Sequence, residues 1–186
     1  MTATAYAAGP VVLIVGPPGS GRSTQAQMLQ KELGMPVIAA DDLIKKNPQI
    51  FQQNKIRALH GIDAHLDPAM NGLVEKALQS ADLSKGVVLD GYPASKTQGD
   101  FLSGLREKLN LARVTVIHLA APDAVVRSRL ADQAGRDVEQ ELKDYHREFD
   151  FMRQYFPQAD IRTVDATKAV EDVAKDIREM VQGSRK

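Results

Sequence analysis

The sequence predicts an α/β fold in which a parallel sheet is covered by helices on both faces. Five short apolar runs show no alternation of polar and apolar residues, as expected for strands buried on both faces. Helical patterns separate these runs, and strands that alternate with helices indicate parallel pairing. The runs lie at Val11–Val15, Val37–Ala39, 86–89, 114–119 and 161–164.

Apolar residues recur at helical spacing between the predicted strands. The pair Asp67-Pro68 is typical of an N-cap followed by proline at the first helical position. Pro122-Asp123 indicates the start of another helix, which we expect to close at Gly135. The clearest stripe steps by three or four residues, and we interpret it as core packing. Its members are Val138, Leu142, Tyr145, Phe149, Met152 and Phe156.

Composition limits the classes of protein to which the chain can belong. Its 186 residues suit one domain, and 24 Lys+Arg residues balance 24 Asp+Glu residues. The chain therefore lacks the basic excess that would indicate binding to nucleic acid or to an anionic membrane. The absence of cysteine excludes disulfides, zinc-thiolate sites and a cysteine nucleophile.

The apolar run near the N-terminus predicts a buried strand and not a signal peptide. No basic residue precedes it, and it stops at Gly16. No stretch approaches the roughly 18 apolar residues that a membrane-spanning helix needs. We therefore expect a soluble, cytoplasmic protein.

Residues 16–24, GPPGSGRST, match the phosphate-binding pattern G-x-x-x-x-G-K-[ST] at all positions except the lysine. Gly16, Gly21 and Ser23 fit the pattern, and Arg22 occupies the lysine position. Glycines let backbone N–H groups turn towards an anion, and the following helix adds its positive N-terminal end. The alternative is a glycine-proline turn that merely joins a strand to a helix. A strand before and a helix after the segment favour a phosphate loop.

Arg22 differs from lysine in more than length. Its guanidinium is planar and forked, whereas lysine presents a compact point charge. Arginine can still bind phosphate, but the loss of one transition-state contact of about 3–4 kcal/mol costs roughly two to three decades in rate. Nucleotide binding is therefore expected to tolerate this change better than fast chemistry does.

Three polar segments follow predicted strands and should meet at one edge of the sheet. They are residues 16–24, 40–42 and 90–93. In open α/β sheets, ligands bind beyond the carboxyl ends of the strands. Residues 40–66 are polar and weakly patterned, and we interpret them as a small helical insert over this edge.

Seven segments resemble, in order and nearly in spacing, the adenylate kinase family of nucleoside monophosphate kinases. They are GPPGSGRSTQAQ, PVIAADDLIKK, GVVLDGYPASKTQ, PDAVVRSRL, GRD, DYH and VDATKAVEDV, between about residues 10 and 182. The resemblance implies a single P-loop NTPase-type domain over residues 1–186 with a five-stranded parallel sheet. It implies a monophosphate-binding insert at residues 40–66 and a reduced lid at residues 133–140. It also implies Mg²⁺-dependent transfer of the ATP γ-phosphoryl group to AMP or another monophosphate.

The resemblance assigns roles on the ATP side of the site. Arg22, Asp90, Arg129 and Arg136 are the residues expected to carry catalysis. The magnesium ligands implied are Asp90 and the hydroxyl of Ser23 or Thr24. The residues implied in ATP binding are Gly16, Gly19, Ser20, Gly21, Arg22, Ser23, Thr24 and Lys168.

The resemblance also assigns an acceptor side, with Lys45 holding the acceptor phosphate and Gln98 reading the adenine of AMP. The full set implied is Ala40, Asp42, Lys45, Gly91, Tyr92, Pro93 and Gln98. Several positions depart from the family by lacking an expected basic or contact residue. These are Ala40, Asp41, Lys45, Ala94, Gln133 and Glu141. A short lid excludes water poorly, which favours ATP hydrolysis or slow transfer.

Three hypotheses about function remain open at this point. The leading one is an adenylate-kinase-like enzyme that uses MgATP and a nucleoside monophosphate. The second is a nucleotide-binding pseudokinase or interaction domain, because the loop lysine and several arginines are replaced. The third is a P-loop kinase for another small substrate, because Ala40, Asp41 and Ala94 all lie on the acceptor side.

Overall fold

Five parallel strands form one sheet in the computed structural model, which describes residues 9–50, 66–111, 114–157 and 160–183. The strand order is β2-β3-β1-β4-β5, so that β1 is central. The strands are β1 (Val11–Val15), β2 (Val37–Ala39), β3 (Val87–Asp90), β4 (Val114–Ala120) and β5 (Ile161–Asp165). The predicted α/β class with a five-stranded parallel sheet is confirmed.

The central strand is apolar along its whole length because helices cover both of its faces. Leu13 and Val15 face a core cluster with the residues of α3, α4 and α6, whereas Val12 and Ile14 face a second cluster with those of α1 and α7. The helices are α1 (Arg22–Leu33), α2 (Ala40–Lys46), α3 (Leu66–Ser80), α4 (Lys96–Lys108), α5 (Asp123–Leu130), α6 (Val138–Tyr155) and α7 (Val170–Gly183).

Several predicted boundaries differ from the structure, and β4 and β5 each end one residue later than predicted. The third strand runs from Val87 to Asp90, one residue later than predicted. Gly86 has φ 101° and lies in the turn before the strand, so it is not part of β3. Asp90 is paired with Ile14 of β1, so the strand includes it. The helix predicted to close at Gly135 already ends at Leu130. The residues from there to α6 are turns and exposed chain, so the helix has no apolar face left to bury.

Asp67 is not the N-cap predicted from the Asp-Pro pair, because α3 already begins at Leu66. Its carboxylate serves a tertiary role instead. It accepts hydrogen bonds from Ser95 Oγ at 2.7 Å and from Gln98 Nε2 at 2.7 Å. These contacts fasten the start of α3 to the start of α4.

Helix α6 packs closely against α4 at Gly99. A Cβ atom at this position would lie 3.0 Å from Tyr155 Cζ and 3.1 Å from Phe151 Cζ. The aromatic rings of α6 therefore rest directly on the backbone of α4. Within the apolar stripe predicted on α6, Leu142 and Met152 are fully buried.

The predicted insert at residues 40–66 is described only in part. Its first residues form α2, and residues 51–65 lie outside the described part of the chain. Within the described residues, no helix is long and apolar enough to cross a membrane.

Candidate active site

The glycine-rich loop joins the buried end of β1 to the first residue of α1. Gly19 and Gly21 have φ values of 71° and 91°, which side-chain-bearing residues rarely adopt. A Cβ atom on Gly16 would lie 2.7 Å from Ser20 Oγ and 2.9 Å from Leu119 Cβ. The loop therefore needs glycine for conformation at two positions and for space at a third.

The loop wraps around a cavity of about 630 Å³, which we call the loop cavity. Ser20 lies on its wall with a side chain that is only 6% exposed, and no described residue hydrogen-bonds to its Oγ. A buried hydroxyl without a protein partner is completed by a ligand or by an ordered water. The described lining comprises residues 16–24 with Asp41, Arg136, Glu141, Asp144, Tyr145 and Glu148.

A second cavity of about 510 Å³, the edge cavity, opens between α1, α2 and the end of β3. It shares Arg22, Ser23, Asp41 and Glu148 with the loop cavity. The two cavities therefore meet at these four residues. Its described lining also includes Gln27, Gln30, Val37, Ala39, Ala40, Asp42, Lys45, Asp90 and Gly91.

Asp90 lies at the carboxyl end of β3 and bridges two residues of α1. Ser23 Oγ donates to Asp90 Oδ2 at 2.9 Å, and Arg22 Nε lies 3.7 Å from Asp90 Oδ1. Burial raises the pKa of Asp90, although Arg22 and the Ser23 hydrogen bond oppose this shift. The three side chains form one charged cluster at the centre of the site.

Glu148 of α6 is a second carboxylate at this centre, and sequence reasoning missed it. Its Oε1 atom is covered from solvent and accepts no hydrogen bond from the described residues. Burial raises its pKa; Arg22 opposes the shift and Asp90 reinforces it. The available signal was its spacing, because Glu148 lies three residues after Tyr145 and seven after Glu141 and so shares their face of the helix.

Arg136, the predicted lid arginine, lies on the loop cavity but already has an acidic partner. Its Nε donates to Glu141 Oε1 at 2.9 Å, and its second terminal nitrogen contacts the other carboxylate oxygen. Gln133 Oε1 accepts a further bond from Arg136 at 2.8 Å. The bond to Glu141 holds the pKa of Arg136 above its usual range and that of Glu141 below its own.

The side chain of Arg129 contacts the backbone of the loop, and Arg129 is not among the described residues that line the two cavities. Its guanidinium donates to Gly19 O at 3.2 Å and to Ala166 O at 2.9 Å. The side chain thereby joins the glycine-rich loop to the turn after β5. Such bonds position the loop, and they are not contacts to a reacting group.

Four further residues predicted for the site lie away from both cavities. Gln98 Oε1 accepts from Ala94 N at 2.8 Å, and its amide nitrogen donates to Asp67. Tyr92 is buried and donates to Asn71 Oδ1 at 2.6 Å. The remaining two are Pro93, which is buried next to Tyr92, and Lys168, which pairs with Asp176 at 2.8 Å.

His118 supports one wall of the loop cavity from within the sheet. Its Nε2 lies 2.8 Å from Tyr145 OH, and its ring stacks on Phe149 with centroids 3.8 Å apart. Burial, assisted by the charge of Arg153, lowers the pKa of His118 to about 4. The neutral imidazole therefore orients Tyr145, which the stripe on α6 had assigned to the core.

The residues around the loop fit a phosphate chain and a hard divalent cation. The orphaned Ser20 hydroxyl and the helix N-terminus suit phosphate oxygens. Ser23 and Asp90 present hydroxyl and carboxylate oxygens side by side, which is the donor set that Mg²⁺ prefers.

A loop that matches G-x-x-x-x-G-K-[ST] at all positions but the lysine, placed between the first strand and the first helix of a parallel α/β sheet, is typical of P-loop proteins. The adenylate kinase family model matches residues 14–161 of the chain. The chain therefore belongs to the adenylate kinase family, as its motifs had indicated.

Similar proteins cover most of the chain. An adenylate kinase of Mycolicibacterium vanbaalenii is 34% identical over 171 residues, which span 87% of this chain and 93% of the relative. One of Mesorhizobium japonicum is 28% identical over 185 residues, which span 89% of this chain and 93% of the relative. Adenylate kinase 1 of Nostoc sp. is 34% identical over 134 residues, covering 70% and 73%.

Proposed function

We propose that the protein is a nucleoside monophosphate kinase that transfers the γ-phosphoryl group of ATP to AMP or another monophosphate. Family membership supports this function in general terms. The observation that carries the proposal is the junction of the loop cavity and the edge cavity at Arg22 and Ser23. A donor phosphate in one cavity and an acceptor in the other would meet at this junction, as in-line transfer requires.

On the donor side, the loop amides, Ser20 and Arg22 would hold the β- and γ-phosphates of ATP. Ser23 or Thr24 and Asp90 would hold Mg²⁺, which neutralises phosphate charge when it is bound. Arg136 would offset charge on the transferred group after exchanging Glu141 for phosphate. We also keep a cytoplasmic location as part of this proposal.

On the acceptor side, Lys45 is the cation that would hold the acceptor phosphate. The described lining of the edge cavity sets four carboxylates, from Asp41, Asp42, Asp90 and Glu148, against Arg22 and Lys45. This excess of negative charge opposes the binding of a dianionic phosphate. It favours, as a second candidate, a P-loop kinase whose small acceptor carries less negative charge than a monophosphate.

The test is product formation from MgATP with each of AMP, CMP, UMP, GMP and dTMP, using the wild-type protein and Arg22→Ala. A diphosphate product from one acceptor, strongly reduced in the variant, supports the proposal. Binding of ATP without transfer to any of the five refutes it. That outcome would favour the kinase of another acceptor or a nucleotide-binding pseudokinase.

A further inference from the structure

Glu148 lies where the two cavities meet. It lines the loop cavity together with Tyr145 and Glu141, and it lines the edge cavity together with Asp90. Arg22 and Asp90 are the charged groups that act on it most strongly across the junction. Transfer from one phosphate to another needs no carboxylate at this point, because the acceptor phosphate already carries nucleophilic oxygens.

The two carboxylates at the junction differ in their hydrogen bonding. Asp90 Oδ2 accepts the hydroxyl of Ser23, and Asp90 Oδ1 faces the guanidinium of Arg22. Glu148 accepts no hydrogen bond from the described residues at its covered Oε1 atom, and the residue lines both cavities, so its carboxylate is not engaged as that of Asp90 is. Of these two groups, Glu148 is therefore the one with an oxygen available to bind and deprotonate a small donor.

Water is the donor that the surroundings admit most readily. Residues 131–137, between α5 and α6, are all exposed, and of these seven Arg136 alone lines the loop cavity while none lines the edge cavity. Arg136 forms an ion pair with Glu141, so its charge is not free to close the junction against water. Ala94 supplies no side chain that could hold an acceptor phosphate. Water can therefore occupy the position of an absent acceptor.

We propose that the protein hydrolyses ATP when no acceptor is bound and that Glu148 is the general base for this reaction. The oxygen of water forms a bond to the γ-phosphorus while the bond from this phosphorus to the β,γ-bridging oxygen breaks. The bridging oxygen leaves with the electron pair as part of ADP. The proton of water passes to the Glu148 carboxylate and then to solvent, so that the products are ADP, inorganic phosphate and one proton.

This activity goes beyond the proposed transfer and shares only the premise that ATP binds at the loop. A positioned general base contributes about 10²–10⁴-fold to a rate. A phosphate acceptor arrives deprotonated and gains nothing from such a base. Removal of the Glu148 charge should therefore depress hydrolysis and raise transfer, because one negative charge is removed from between two anionic substrates.

The experiment compares wild-type protein, Glu148→Gln and Glu139→Gln. Glu139 lies on the same helix, is exposed and pairs with Arg127, so its variant controls for loss of a glutamate charge. Release of inorganic phosphate from MgATP is measured without acceptor. Transfer to AMP and the affinity for a non-hydrolysable ATP analogue are measured in parallel. We expect Glu148→Gln to lower hydrolysis about 100-fold or more, to raise transfer and to bind the analogue at least as tightly as wild type.

Three results would overturn the inference. They are the absence of phosphate release by the wild-type protein, hydrolysis by Glu148→Gln at the wild-type rate, and equal loss of hydrolysis and transfer in a variant that still binds the analogue. The last result would mean that Glu148 supports phosphoryl transfer to any acceptor and is not a base specific to water. Failure to phosphorylate any of the five monophosphates would refute only the kinase proposal, because hydrolysis by the three proteins is compared independently.

Discussion

Ser23 Oγ donates a 2.9 Å hydrogen bond to Asp90 Oδ2 and so joins the first turn of α1 to the carboxyl end of β3. The other oxygen of Asp90 faces Arg22 Nε at 3.7 Å. The residue at the lysine position of the loop is thus already held by an acidic partner. Its charge is directed to the centre of the site before any nucleotide binds.

Arg22→Ala should lower kcat/KM for ATP by about two to three decades, because one charged contact to the phosphates is lost. Initial rates of ADP formation with a saturating acceptor measure this effect. Arg162→Ala is the matched control, since Arg162 is exposed on the edge strand β5. Equal kcat/KM values for Arg22→Ala and wild type would contradict a phosphate-binding role for Arg22.

Gly16→Ala should destabilise the loop, because the added Cβ atom would lie within 3 Å of Ser20 Oγ and of Leu119. Overpacking of this kind costs about 1–3 kcal/mol in the free energy of unfolding. Gly72→Ala, on α3, is the control, since nothing lies within 4 Å of an added Cβ atom there. This control should leave stability unchanged or raise it by up to about 1 kcal/mol. Urea denaturation distinguishes the two, and equal midpoints would refute the close packing at Gly16.

Arg129→Met should weaken ATP binding about tenfold, because the loop carbonyl of Gly19 and the carbonyl of Ala166 both lose their shared donor. Titration calorimetry with a non-hydrolysable ATP analogue measures the change in Kd. Arg127→Met, on the same helix, removes only surface pairs with Glu139 and Asp123. If both variants bind the analogue like wild type, the bridge does not position the loop.

His118 should make the protein lose stability in mild acid. Its pKa in the folded state is about 4, below the ordinary value of 6.5, so the unfolded chain binds the proton first as the pH falls. The stabilisation is complete above about pH 6.5 and is lost as the pH falls towards 4. The loss reaches at most about 3 kcal/mol at a single buried site.

The acid sensitivity due to His118 can be isolated by substitution. His118→Phe keeps a ring against Phe149 but cannot be protonated, so its unfolding free energy should change less between pH 7 and pH 5 than that of wild type. His146→Gln removes an exposed histidine of α6 and should retain the wild-type dependence. Parallel profiles for wild type and His118→Phe would contradict the assignment.

The sequence predicted the parts of the molecule that local patterns determine. Val11–Val15 and Val37–Ala39 are strands with the predicted bounds, since buried strands need unbroken apolar runs. The gathering of the loop with Asp90 also follows from strand ends meeting at one sheet edge. Glu148 and His118 were not predicted as site residues. The role of Glu148 depends on which face of α6 meets the loop, and that of His118 depends on its contact with Tyr145 of α6. Those properties are tertiary: helical spacing places Glu148 on the face of Tyr145 and Glu141, but it does not indicate that this face meets the loop.

Gly99 influences the position of Glu148 through the packing of α4 against α6, although the two residues are on different helices. A Cβ atom at position 99 would lie only 3.0–3.1 Å from the rings of Phe151 and Tyr155, and both residues follow Glu148 on α6. A side chain at position 99 would require these rings to shift by a few tenths of an ångström, and the rings belong to the helix that carries Glu148. The position of Glu148 beside the phosphate loop thus depends on a contact between α4 and α6 that lies outside the described lining of both cavities.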